Sequence, residues 1–308
     1  MSESLSAPAR LLPIIYNPAA GQRRGAFFTR VLAALEARGW RAELRTTGAP
    51  GDAQAMAAAA AREGVARIAV AGGDGTIHEA VNGLASQPQG GARREGARRG
   101  PQLGIIPLGT ANVLAQEIGL KLRPDAVADC LTGQKELTSR LGSVGGEVFL
   151  LMAGAGFDAQ VVAEVSLPLK RRFGKGAYVW ETLRQAFSYR FPELELELDG
   201  KPERARSLIL TRAAHYGGAF LLSREAGLEK DGLQAFLFDS GGPLSVLRYS
   251  LSLALGRLES TRGVRRIPVE RVRILGPAGL PLQADGDDVG VTPVEMGLSS
   301  QSLRLLVP

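Results

Sequence analysis

Cysteine is nearly missing from this 308-residue chain: Cys130 stands alone. That excludes an intramolecular disulfide and fits a reducing compartment. Beside Ala126, Val127 and Leu131 on an expected helix, its thiol reads as packed rather than nucleophilic. Histidine is almost as scarce. His78 and His215 lie far apart without companion ligands, so neither a zinc site nor a hydrolase triad is expected. The longest apolar run, residues 148–157, is about half a membrane span. With no basic start and no long apolar run at the N-terminus, no signal peptide is expected, and the protein is placed in the cytoplasm. Aromatic residues make up only 6% and do not interleave with basic ones, which argues against a nucleic-acid partner. Internal repeats are absent. So are the two commonest nucleotide motifs: no G-x-x-x-x-G-K-[ST] occurs, and Gly73-Asp74-Gly75 lacks the glycine at position 78 that a dinucleotide fingerprint needs.

What is present suffices for about two cored domains, since 45% of residues are hydrophobic. The net charge of +6 favours acidic partners such as nucleotides or an anionic membrane surface. Up to about residue 130, strand-like and helical segments alternate: 11–16, 26–38, 42–46, 52–63, 68–71, a helix after Thr76, 103–106, and a helix from Ala111. Such alternation implies a parallel sheet covered by helices. From about residue 137 short runs separated by turns take over, at 148–152, 193–198, 207–211, 233–238, 269–275 and 281–284. The strict alternation of 193–198 demands a half-buried strand. This half reads as an antiparallel β-sandwich with two helices, near 178–187 and 244–255. The expected domains are 1–136, Rossmann-like α/β, and 137–295, the sandwich; residues 87–101 read as a flexible loop in the first.

Residues 67–76 carry the strongest signal. An apolar strand breaks into Gly72-Gly73-Asp74-Gly75-Thr76 and then into Ile77, Ala80, Val81 and Leu84 at helical spacing. Glycines there let the backbone approach a ligand, and a helix N-terminus offers free N–H groups to phosphate. Asp74 cannot bind phosphate but can hold magnesium or an attacking hydroxyl. A merely tight connection is the competing reading. Other strands end similarly, in Asn17-Pro18-Ala19-Ala20-Gly21, in Thr47 to Gly51, and in Leu108-Gly109-Thr110-Ala111-Asn112, which together make a ligand rim.

These pieces resemble the diacylglycerol kinase catalytic-domain family, bacterial lipid kinases related to sphingosine and ceramide kinases. The matching motifs are 16–21 (YNPAAG), 72–83 (GGDGTIHEAVNG), 107–112 (PLGTAN), 154–158 (GAGFD) and 283–287 (QADGD), in order across nearly the whole chain. The resemblance implies ATP- and magnesium-dependent phosphorylation of a lipid hydroxyl, diacylglycerol-like or sphingoid, in a cleft between the domains. It also implies that residues 296–308 return to complete the first domain. By position, Asn17, Pro18, Gly21, Thr47, Gly72, Gly73, Asp74, Gly75, Thr76, Glu79, Thr110 and Asn112 would form the ATP site, and Asp285 would be the candidate base. The family's Asp-Gly-Glu is Asp285-Gly286-Asp287 here, so Asp287 competes for that role and the two are not separated by sequence. A structural magnesium is implied on the Asp231 carboxylate and the carbonyls of Leu228 and Leu233; an ordinary turn is the alternative reading of Asp231-Gly232.

Lys170, Arg171, Arg172 and Lys175 sit near Phe173, Tyr178 and Trp180, a mixture suited to anionic lipid headgroups and a peripheral membrane contact, with a solvated face as the bland alternative. Arg93, Arg94, Arg98 and Arg99 could extend that surface or simply solvate a loop. Two rival functions are kept: an NAD kinase-like enzyme acting on a soluble nucleotide, and a catalytically silent nucleotide- or lipid-binding protein. Oligomeric state is not readable.

Overall fold

The computed structural model describes residues 10–21, 24–87, 100–165 and 175–308. The chain divides into two compact units, one of Met1–Leu137 with Leu303–Pro308 and one of Thr138–Ser302.

In the first unit, β1 (Arg10–Tyr16), β2 (Trp40–Thr46), β3 (Arg67–Gly72) and β4 (Gln102–Pro107) form a parallel sheet in the order β2-β1-β3-β4. Every residue of β3 is buried, as a central parallel strand covered on both faces requires, whereas edge strand β2 is half exposed. Helices Gly25–Glu36, Asp52–Glu63, Asp74–Ala85 and Pro124–Thr132 supply the cover. The alanine-rich Asp52–Glu63 helix has a specific reason for its small side chains. A Cβ on Gly83 of the neighbouring helix would lie 2.1 Å from the Gln54 carbonyl oxygen and 3.0 Å from the Ala57 Cβ. The two backbones therefore pack too closely for larger residues, and Gly83 serves packing, not ligand. The far end of the last strand, β18 (Val294–Leu306), joins this sheet: Arg304 and Leu305 pair in parallel with Gln102 and Leu103.

The second unit is built from antiparallel strands. Chain order gives β5 (Glu136–Val144), β6 (Glu147–Phe149), β7 (Met152–Gly156), β8 (Leu194–Leu198), β9 (Lys201–Ala205), β10 (Ser207–Thr211), β11 (His215–Tyr216), β12 (Phe220–Leu221), β13 (Leu233–Phe238), β14 (Val264–Val269), β15 (Arg271–Gly276), β16 (Pro281–Ala284) and β17 (Asp287–Val291), then the near end of β18. One sheet runs β14-β13-β10-β7-β16-β17; facing it are β18, β15, β8 and β9. A single core fills the space between. Leu194, Leu196, Leu198, Val272, Ile274 and Met296 meet Ala153, Ala155, Leu208, Leu210, Leu233 and Leu282. The fold is thus α/β followed by an antiparallel sandwich.

Two expected elements differ. The run at 148–152 is not one strand but breaks between β6 and β7, because the backbone N–H groups of Leu150, Leu151 and Met152 point to the Asp285 carboxylate instead of a neighbouring strand. The helix expected from Ala111 starts at Val113, because Asn112 adopts the left-handed conformation, φ 49°, as its N-cap.

Candidate active site

Register levels the carboxyl ends of the four parallel strands. Tyr16 pairs with Thr46 and with Ala71, and Gly72 pairs with Pro107. The ladder continues into the turns: Asn17 N donates to the Ala71 carbonyl at 2.9 Å, Thr47 N to Tyr16 at 2.9 Å and Leu108 N to Gly72 at 2.9 Å. All four turns therefore start along one sheet edge, where parallel α/β sheets bind ligands.

Side chains knit these turns together. Asn17 Nδ2 donates to Thr76 Oγ1 at 2.9 Å, while its Oδ1 accepts from Ala19 N at 2.9 Å and Ala20 N at 3.3 Å, fixing the one-turn helix Pro18–Gly21. Gly73 and Gly109 cross backbone to backbone: a Cβ on Gly109 would stand 2.6 Å from Gly73 Cα. Gly72 is equally constrained, its notional Cβ falling 2.6 Å from that of Thr76. Asp74 Oδ1 accepts from Val113 N at 2.8 Å, and buried Asn112 donates Nδ2 to the Gly109 carbonyl at 2.9 Å. The glycines thus let two turns touch, and Asp74 and Asn112 hold them in contact. Gly75 and Thr76 fill the first turn of the Asp74–Ala85 helix, Thr47 is buried, and Thr110 is exposed on the rim. Glu79 accepts from Ala53 N at 3.2 Å at the start of the neighbouring helix, so its carboxylate joins two helices. His78 is buried on the same helix, its ring 3.3 Å from Asn82 Nδ2.

One rim residue escaped the sequence reading. Arg24 donates Nη1 to the Pro107 carbonyl at 3.3 Å, bringing a guanidinium from beyond the first turn to the end of β4. The signal was the paired arginine following Gly21. An N–H-rich edge with a cation and one acid fits a triphosphate.

In the second unit, Asp285 is a structural anchor. Its Oδ2 accepts from Leu150 N at 2.8 Å, and its Oδ1 from Leu151 N at 2.8 Å and Met152 N at 2.9 Å. Asp285 N returns a bond to the Met152 carbonyl at 2.8 Å, and its φ is 51°. Three of the carboxylate's roughly four acceptor sites are thus taken by backbone donors. Asp287, half-buried at the head of β17, sits two residues beyond this clamp.

Nearby chemistry in this unit is apolar. A cavity of about 160 Å³ is lined by Phe157, Val161, Ile209, Phe238, Val246 and Tyr249, with Asp158 and Tyr216 as polar wall. Asp158 is buried; it accepts from Gln283 Nε2 at 2.8 Å and from the Tyr216 hydroxyl. Burial raises its carboxyl above the usual range, against those two hydrogen bonds. The helices Lys175–Ser188 and Pro243–Ala254 touch and contribute Thr182, Val246 and Leu253 to the lining. On their outer sides they expose Val179, Trp180, Leu183 and Phe187, and Leu244, Leu247 and Leu251, with Leu255 just beyond. Lys170, Arg171, Arg172 and Phe173 lie outside the described residues, as do Arg93, Arg94, Arg98 and Arg99.

The residues expected to hold a structural magnesium lie at one turn and the strand that follows it. The Leu228 carbonyl accepts from Arg212 Nη2 at 3.3 Å, Asp231 is exposed on the turn, and Leu233 lies in β13 paired with Val269. Among the described residues no group of three or more His, Cys, Asp or Glu is placed to hold a metal. None of the described helices is long and apolar enough to cross a membrane.

Comparison with known proteins gives the family. Residues 12–144 match the diacylglycerol kinase catalytic domain, and residues 152–307 match the YegS C-terminal NAD kinase beta sandwich-like domain. The chain is 27% identical over 300 residues to the diacylglycerol kinase of Bacillus subtilis (strain 168), covering 96% of this chain and 95% of that one. It is 30% identical over 292 residues to a "Probable lipid kinase YegS-like" protein of Pseudomonas fluorescens, covering 90% of each. The crystal structure of a diacylglycerol kinase from Bacillus anthracis str. Sterne shares the fold, with a TM-score of 0.70 at 19% identity over 97% of both chains. The chain belongs to the diacylglycerol kinase and YegS-like lipid kinase family, and is a kinase of that class.

Proposed function

We propose that the protein transfers the γ-phosphate of ATP to the hydroxyl of a membrane lipid, diacylglycerol-like or sphingoid. The observation carrying this reading is the apolar cavity beneath two helices whose outer faces, with the adjoining Leu255, leave eight large apolar side chains in solvent. Such a patch is costly on a protein that stays in water but suits the boundary of a bilayer, where Trp180 and the leucines would sit among acyl chains. Each acyl methylene buried in the cavity contributes about 0.8 kcal/mol, so a lipid is held by its tail while its hydroxyl is presented to the chemistry.

The four turns of the first unit would bind the triphosphate, with Arg24 and the N–H groups near Gly73 and Gly109 on the phosphates and Asp74 on magnesium. Magnesium bound to ATP neutralises charge on the transferring group. Because Asp285 is occupied by three backbone donors, the proton acceptor is assigned to Asp287, with Asp285 holding the bend before it. A carboxylate in reach of the hydroxyl supplies roughly 10²–10⁴-fold.

The test is transfer from labelled ATP with magnesium to diacylglycerol, sphingosine, ceramide and phosphatidylglycerol in mixed micelles, with NAD as control. A phosphorylated lipid and untouched NAD are expected. Phosphorylated NAD, or transfer to no lipid, would overturn the reading. The vesicle arm uses Leu247→Glu with Phe187→Asp: binding should weaken, and unchanged partitioning removes the bilayer from the proposal.

A further inference from the structure

We propose that the Arg212 guanidinium is a built-in cation that organises the 228–232 turn, so that this turn takes no divalent ion. Arg212 follows β10 and is only 2% exposed. Its Nη1 donates to the Gly232 carbonyl at 3.1 Å, and its Nη2 donates to the carbonyls of Lys230 at 2.9 Å and Leu228 at 3.3 Å. The main chain closes the same loop, with Gly227 N donating to the Arg212 carbonyl at 2.7 Å. Three carbonyl oxygens from five consecutive residues thus converge on one positive charge. That is the donor set a hard cation would take, but at the wrong spacing. Magnesium demands oxygens near 2.0–2.1 Å in octahedral array. Here the oxygens stand at hydrogen-bond distance around a planar group that fills the space between them.

Charge follows the same logic. Burying a cation is costly unless its donors find acceptors, and arginine presents five donors in a rigid planar fork. Asp231 supplies a favourable negative charge to Arg212, opposing the cost of its burial. The guanidinium Nε finds no partner, which marks the fork as aimed at the turn.

Thermal melting without nucleotide tests this, so the result does not depend on the transfer reaction. Wild-type protein and Asp231→Asn are melted in chelator and in millimolar magnesium chloride. The wild-type midpoint is expected to be the same in both, and the two proteins to respond alike. Arg212→Met, which leaves three carbonyls unpaired, is expected to melt roughly 5 °C lower or more in either buffer. A magnesium-dependent rise in the wild-type midpoint that Asp231→Asn abolishes would overturn the proposal, as would an Arg212→Met midpoint equal to wild type. If Arg212→Met fails to fold, the wild-type and Asp231→Asn pair still decides.

Discussion

Replacing Asp285 by asparagine should damage the fold more than the chemistry. Asparagine tolerates a φ near 51° about as well as aspartate, so the substitution tests hydrogen bonds and not backbone strain. The carboxylate accepts three backbone N–H bonds at 2.8, 2.8 and 2.9 Å. In the variant the amide oxygen can keep the pair from Leu151 and Met152, but its NH₂ then faces the Leu150 donor. One charge-assisted bond is lost, about 1.5–3 kcal/mol, and the remaining two weaken toward the neutral value, about 1 kcal/mol each. A total of roughly 3–5 kcal/mol corresponds to about 6–20 °C in apparent melting midpoint for a unit of this size. Asp287→Asn, beyond the clamp, should melt like wild type and lose roughly 10²–10⁴-fold in kcat. Thermal melts and lipid kinase assays on both variants, run well below either midpoint, separate the roles. A wild-type midpoint with abolished turnover for Asp285→Asn, beside an active Asp287→Asn, would refute the reasoning.

Three further expectations share the same footing. Gly109→Ala places a Cβ 2.6 Å from Gly73 Cα, so the two turns must part; kcat/KM for ATP should fall roughly 10²-fold, and an unchanged value would show the contact to be irrelevant. Burial raises the Asp158 carboxyl, so the folded state binds that proton more tightly than the unfolded one, and this stability is lost as pH rises from about 4 through the folded value. Asp158→Asn should therefore gain relative to wild type as pH rises above about 4, and a difference in midpoint that stays constant with pH would contradict it. The Cys130 thiol, pushed up to about 11 by burial, should resist disulfide reagents at neutral pH until the protein is denatured; reaction at a free-thiol rate would contradict its packing.

Much of the architecture was legible because local pattern and tertiary burial agree. The Glu-Leu alternation of 193–198 became β8, with Leu194, Leu196 and Leu198 inward, and the alanine-rich segment 52–63 became a helix at those bounds. The strand at 264–269 was missed because the charged pair Arg265-Arg266 interrupts its apolar pattern and only Val264 and Val269 are buried. Residues 148–152 misled for a different reason: an apolar run of that kind reads as a strand, and nothing local tells that Asp285, more than 130 positions away, takes its amides. The site divided in the same way. Turns that end strands announce themselves by glycine and asparagine, so Asn17, Gly72, Gly73, Gly109 and Asn112 could be named. Roles that depend on a distant partner could not. Glu79 turned out to meet Ala53, Arg24 to reach Pro107, and Arg212 to donate to carbonyls of the 228–232 turn.

Strand β18 carries a temporal consequence. Its residues Arg304 and Leu305 pair with β4, so the earliest-made sheet stays open along that border until that distant segment has left the ribosome. A nascent chain holding residues 10–137 alone would present β4's unpaired amides and carbonyls, an invitation to wrong partners that only the arrival of Arg304 and Leu305 withdraws.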